Sequence, residues 1–174
     1  MSAIEPAPLI DVIAEAPQWQ RSDAGAKVRR ALTEAAIATR LDFKDRTLAV
    51  LLTDDASIRR LNAQWRKIDK PTNVLSFPPA LNANLPADGM TSLGDIAIAY
   101  ETTAREAEAE GKRFDDHVAH LAVHGFLHLL GYDHDSESAA ATMENLERAI
   151  LARLGVPDPY LTPVAPHDLH GIRG

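Results

Sequence analysis

Three of the seven histidines in the chain are spaced as ligands for a single metal ion. The stretch HGFLHLLGYDH, from His124 to His134, has the pattern H-x-x-x-H-x-x-G-x-x-H. A helix rises about 1.5 Å per residue, so His124 and His128 stand about 6 Å apart along the axis and share a face. Two imidazoles so placed can close on one ion at about 2 Å. Gly131 lets the chain turn sharply, which brings His134 back towards the pair. Three protein ligands leave one coordination position open, as a catalytic site requires. His120 lies about 12 Å from His128 along the same helix, too far to share its ion. Packing is the preferred reading for His120, with a hydrogen bond near the site as the alternative. His117 reads as a surface residue, and His167 and His170 as solvated.

Many zinc peptidases use this spacing with Glu after the first His, where it acts as general base. Here that position is Gly125. Glycine can neither activate water nor protonate a leaving amine, so peptide hydrolysis is disfavoured. A phosphodiester asks for something else. Its transition state gathers charge on phosphoryl oxygens, and a metal with a nearby guanidinium can meet much of that demand. No general base is assigned. Asp133 and Asp135 are candidates, and each could instead orient an imidazole or cap a helix.

Composition narrows the classes further. The chain has 174 residues, 45% hydrophobic and 25% charged, which suits one globular domain with a sizeable core. It has no cysteine, so thiolate catalysis, disulfides and Cys-based zinc sites are excluded. The N-terminal stretch lacks the features of a signal peptide, and no apolar run has the length of a membrane span. A cytoplasmic protein with no membrane partner is expected. The net charge of −7 argues mildly against nucleic acid. Positive charge nevertheless clusters in IRRLNAQWRKIDK, at Arg59, Arg60, Arg66, Lys67 and Lys70.

The elements that must position the histidines can be read from periodicity. Strands are predicted over 8–16, 46–53, 73–77 and 94–100. Helices are predicted over 24–40, 101–112, 113–131 and 135–155. A further helix, capped by Asp54 or Asp55, carries Ile58, Leu61, Trp65 and Ile68 as an apolar stripe. Residues 80–92 read as a loop. The most apolar helix, 113–131, bears the histidines, with Asp115 or Asp116 as its cap and Gly131 as its stop. The order predicts an α+β domain over 1–155: a small mixed β-sheet flanked by helices, with a buried His-bearing helix. Residues 156–174 read as a Pro-rich, disordered tail.

Three segments in order, KPTNVLSFP (70–78), LGDIAIA (93–99) and HGFLHLLGYDH, together resemble the YbeY family of bacterial endoribonucleases. The resemblance spans roughly residues 45–155. It implies a zinc site at His124, His128 and His134, and an important arginine, matched here by Arg66 in WRKIDKPTN. It implies maturation of the 3′ end of small-subunit ribosomal RNA and ribosome quality control. Ribosomal proteins or an assembly GTPase are the implied partners. On this reading zinc polarises the phosphate or activates water, and Arg66 clamps the anion. Ser76 and Asp95 fall in family segments and read as structural. Two alternatives stand beside the endoribonuclease: a metal-dependent hydrolase of another substrate, and a non-catalytic metal-binding ribosome-assembly factor.

Overall fold

The computed structural model describes residues 7–79 and 89–161. Most of the expected 80–92 loop, and the tail from residue 162 with His167 and His170, lie outside the described residues. Strand β1 (Leu9–Ala14) leads through a 3-10 turn (Pro17–Arg21) to helix α1 (Ala24–Thr39). Then come β2 (Arg46–Thr53), α2 (Asp55–Arg66), β3 (Val74–Phe77) and β4 (Thr91–Ala99). Three helices follow: α3 (Tyr100–Glu110), α4 (Phe114–Leu129) and α5 (Glu137–Arg153).

The sheet order is β1-β2-β4-β3. β1, β2 and β4 run parallel, and β3 runs antiparallel to β4 along the edge. Parallel neighbours need crossover connections, and α1 and α2 provide them. The result is the small mixed sheet flanked by helices that the sequence predicts.

Strand alternation sorts side chains onto two faces. Leu48, Val50 and Leu52 of β2 join Ile96 and Ile98 of β4 in the main core, under α1, α4 and α5. Ala97 and Ala99 point the other way, onto Ile58 of α2 and Leu75 of β3. Helix α4 is therefore enclosed between the sheet and its neighbouring helices. Val118, Ala122 and Phe126 are all buried there. Trp19 locks the first strand region to the rest. Its Nε1–H donates to the Thr53 carbonyl at 2.7 Å, and its ring packs on Tyr100 and Phe114.

Helix ends follow local hydrogen bonding. Asp54 caps α2 by accepting from the Ser57 N–H at 2.8 Å. Asp55 instead accepts from Thr102 and Arg105, tying α2 to α3. α4 has Arg113 at its N-cap, without a side-chain hydrogen bond. Asp115 and Asp116 sit in its first turn, where the helix dipole favours acids. Asp116 also pairs with Lys27 of α1 at 3.5 Å. β4 begins at Thr91, three residues before the sequence suggests, because Thr91 still pairs with Arg46. The α2 stripe ends early. The chain leaves the helix at Arg66, and Trp65 and Ile68 are exposed rather than packed.

Candidate metal centre

His124 and His128 lie one turn apart on α4, and their Nε2 atoms face each other at 3.0 Å. His134 comes back over them after the helix. Its ring stacks on His124 at 5.3 Å and meets His128 edge-on at 4.8 Å. One nitrogen from each of the three lies within 4.8 Å of the others. The turn that returns His134 is built at the end of α4. The Gly131 N–H donates to the His128 carbonyl and the Tyr132 N–H to the Leu127 carbonyl, each at 3.0 Å. This Schellman pairing requires the left-handed backbone that Gly131 adopts at φ 101°.

The outer nitrogens decide what the inner ones can do. Nδ1 of His128 lies 3.0 Å from the Tyr132 carbonyl, which can only accept, so Nδ1 carries the proton. Nδ1 of His124 lies 2.7 Å from Oε2 of Glu147. Glu147 is fully buried. Burial alone would raise its carboxyl, but hydrogen bonds from His120 and His124, with one from Tyr160, hold it down at about 2. It is therefore an ionised acceptor, and Nδ1 of His124 also carries its proton. Burial, then the neighbouring His124 and His134, push the His128 pKa down and favour its neutral form. With Nδ1 of each ring turned to an outer acceptor, the two Nε2 atoms that face each other at 3.0 Å are the nitrogens left to bind an ion. A tetrahedral zinc site with Zn–N near 2.0 Å separates its nitrogens by about 3.3 Å, close to what is found. Donor type, spacing and tautomers fit a divalent ion with three imidazole ligands.

The remaining histidines correct two expectations. His120 is not simply packed. Its Nε2–H donates to Oε1 of Glu147 at 2.9 Å, so one carboxylate binds two successive histidines of α4. His117 is not on the surface. It is 4% exposed, and its Nε2 bonds Glu106 of α3 at 2.8 Å, because α3 covers the first turns of α4. Glu106 also accepts from Asn73, which ties the segment before β3 to the same helix.

Gly125 has a structural reason to lack a side chain. A Cβ there would lie 3.0 Å from Ser76 Oγ and 3.1 Å from Ile96 Cγ2. The helix lies against β3 and β4 at this point, and the Ser76 hydroxyl donates to the Gly125 carbonyl at 2.8 Å. Any side chain at this position would crowd the sheet from its first carbon onward. Ser76 therefore has the structural role expected of it. Asp95 is exposed on β4, opposite Phe77 in the ladder. Asp133 accepts from the Asp135 N–H at 3.1 Å in a local turn, and Ser136, not Asp135, caps α5. Arg66 ends α2 and is exposed. Among the described residues no hydrogen bond joins it to the three histidines.

Glu147 and Tyr160 went unread in the sequence. Met143, Glu147 and Ile150 share the buried face of α5, so an acid at a core position was the available signal. Tyr160 belongs to residues 156–161, the start of the segment read as a tail. That part is held in place. Its hydroxyl donates to Glu147, Asp158 pairs with Arg148 at 3.0 Å, and Lys112 bonds the Pro159 carbonyl at 2.9 Å.

The family model described as Endoribonuclease YbeY matches residues 11–155. The chain belongs to the YbeY endoribonuclease family. It is 58% identical over 162 residues to an Endoribonuclease YbeY of Rhodopseudomonas palustris (strain BisA53), covering 92% of this chain and 93% of that one. A YbeY of Bradyrhizobium sp. (strain BTAi1) is 56% identical over 159 residues, covering 89% and 94%. One from Nitrobacter winogradskyi is 55% identical over 160 residues, covering 90% and 84%. A solution structure of a Thermotoga maritima protein superimposes with a TM-score of 0.52 at 20% identity, over 88% of this chain and 99% of that one, and supports the fold alone. The three-histidine group and the mixed sheet are thus found in a YbeY chain whose reaction is the cutting of RNA phosphodiesters. No helix among the described residues is long and apolar enough to cross a membrane.

Proposed function

We propose that this YbeY protein is a zinc-dependent endoribonuclease that matures the 3′ end of small-subunit ribosomal RNA and takes part in ribosome quality control. The observation that carries the metal dependence is the pair of Nε2 atoms turned inward on His124 and His128, with His134 closing over them. A bound zinc ion supplies Lewis-acid chemistry at phosphoryl oxygens and at water. His124, His128 and His134 would hold it. Glu147 and the Tyr132 carbonyl accept the outer Nδ1 protons and so orient the two rings with Nε2 inward. Arg66 contributes a planar guanidinium that binds the non-bridging oxygens of the scissile phosphate. Glu147 does not act as the base, because it is buried and both of its oxygens already accept hydrogen bonds.

The reading includes a cytoplasmic location, ribosomal RNA as substrate, and ribosomal proteins or an assembly GTPase as partners. Its support is the family membership, since relatives that match most of the chain are endoribonucleases. The test incubates a ribosomal RNA fragment with freshly purified protein and a matched His128→Ala preparation, with and without chelator and added zinc. Cleavage by the native protein alone, lost with chelator and restored by zinc, is the expected result. Equal cleavage by both preparations, or by neither, overturns it and favours the non-catalytic assembly factor.

A further inference from the structure

The chain stays on the domain after α5 ends. Gly155 turns it at φ 74°, and the Val156 N–H returns to the Leu151 carbonyl at 2.9 Å, with Val156 buried. Residues 156–161 then reach both α4 and the end of α3 as a short strap. Asp158 accepts from Nε of Arg148 with both oxygens, at 3.0 and 3.2 Å. One of those oxygens also accepts the Tyr160 N–H at 2.8 Å. Lys112, which follows α3, donates to the Pro159 carbonyl at 2.9 Å. The Tyr160 ring meets the Arg148 guanidinium 5.1 Å from its centroid and the His120 ring edge-on at 5.5 Å.

The strap ends on a buried charge. The Tyr160 hydroxyl donates to Oε1 of Glu147, whose Oε2 accepts from His124. Burial, then the bond to Glu147, push the hydroxyl's pKa above its ordinary range, so it stays a donor. His120 and His124 stand one turn apart on α4, so together they hold the carboxylate from one element only. Tyr160 adds a hold from a second element, on the oxygen that does not face His124.

Tying down a chain end does not call for this arrangement. Val156 and Pro159 are buried and already anchor the strap. A buried carboxylate carries a desolvation cost that a well-packed apolar side chain at 147 would avoid. Asp158, Arg148 and Lys112 make no hydrogen bond to a histidine among the described residues. Their path to the histidines runs through Tyr160.

We propose that residues 156–161 form a strap that sets how tightly the metal centre holds its ion, with Tyr160 as a positioning residue that keeps Glu147 against His124 and Asp158 as the anchor that keeps Tyr160 in place. This rests on the metal-dependent reading and carries it to a segment with no hydrogen bond to His124, His128 or His134.

The test uses the full-length chain as Tyr160→Phe, which removes the hydroxyl and keeps the ring, as Asp158→Ala, and as the double variant. Zinc affinity is read by competition with a chromophoric chelator, at a temperature where circular dichroism shows every variant folded. Cobalt(II) accepts the same nitrogen donors, and its visible bands report the geometry of the site. A partner that touches a ligand ring directly is worth about 10- to 100-fold in affinity, so one step further out about fivefold is expected for Tyr160→Phe. Asp158→Ala should lose about threefold, and both should shift the cobalt bands. The double variant should bind zinc no more weakly than Tyr160→Phe, because the anchor acts through the hydroxyl. Native zinc affinity and native cobalt bands in Tyr160→Phe, with only the Tm lowered, overturn the proposal and leave the strap to fold stability. Losses that add in the double variant overturn the coupling of Asp158 to Tyr160. No zinc uptake by the native protein overturns this proposal and the metal-dependent reading together. Weakened zinc binding in Tyr160→Phe, beside a zinc-loaded native protein that leaves ribosomal RNA uncut, upholds the strap and sinks the endoribonuclease reading alone.

Discussion

Oε2 of Glu147, a side chain fully excluded from solvent, accepts the Nδ1 proton of His124 at 2.7 Å. Its other oxygen takes His120 and the Tyr160 hydroxyl. An ionised carboxylate can only accept, so it fixes the His124 ring in one tautomer and orientation. Partners of this kind are worth about 10- to 100-fold in metal affinity. Glu147→Gln is expected to lower zinc affinity by about that factor, measured by competition with a chromophoric chelator. Tyr160→Phe, which removes one donor to the carboxylate, should cause a smaller loss. Unchanged zinc affinity in Glu147→Gln would show that the carboxylate only fills space.

Arg66 stands apart from the ligands, so its loss should separate catalysis from metal uptake. Arg66→Ala is expected to keep the zinc content and lose about 100-fold in kcat on an RNA substrate. Arg66→Lys should recover little, because an ammonium cannot grip two oxygens as a planar fork does. A kcat equal to that of the native protein would remove Arg66 from the reaction.

The approach of α4 to the sheet predicts a stability effect at Gly125. Alanine is a better helix former than glycine by about 1 kcal/mol, yet here its Cβ meets Ser76 and Ile96. Overpacking of this kind costs about 1–3 kcal/mol, so Gly125→Ala should lower Tm. Pairing it with Ser76→Ala opens the crowded space. The double variant should lose less than the sum of the singles in a thermal denaturation cycle. Strict additivity would mean that the two residues do not press on each other.

Acid should destabilise the metal-free protein in two stages. Burial lowers the folded pKa of His120, and of His128, below the ordinary 6.5. Their contribution is present above pH 6.5 and is lost as pH falls through their folded values, since the unfolded chain takes up the protons first. Glu147, at about 2 against 4.5 when unfolded, contributes above pH 4.5 and loses that contribution as pH falls towards 2. Urea denaturation with chelator present, stepped downward from pH 7, is expected to show falling stability across both ranges. Glu147→Gln should flatten the lower one. A stability independent of pH between 7 and 4 would contradict this account.

The legible part of the molecule was local. Spacing alone brings His124, His128 and His134 together, because i, i+4 geometry and one glycine turn are short-range facts. The strands follow from runs such as RTLAVLLT, whose alternate residues Leu48, Val50 and Leu52 are indeed buried. What escaped depends on which helix packs on which. His117 looks like a surface residue until α3 supplies Glu106. His120 looks inert until α5, a full helix later, presents Glu147. Trp65 continues an apolar period that the chain breaks at Lys67 by turning left-handed. Each of these is a contact between elements distant in sequence, which no window of neighbouring residues contains.

The three histidines also share a property that the rest of the centre lacks. They lie in one unbroken stretch, 124 to 134, so gathering them closes only a short loop of chain. During synthesis that stretch leaves the ribosome before α5 exists. The histidines are then present, and the carboxylate that fixes the His124 tautomer is not. A chain interrupted ahead of residue 147 would keep all three imidazoles without the acceptor for Nδ1 of His124. The three imidazoles are thus gathered by local chain alone, and the carboxylate that orients His124 arrives only with α5.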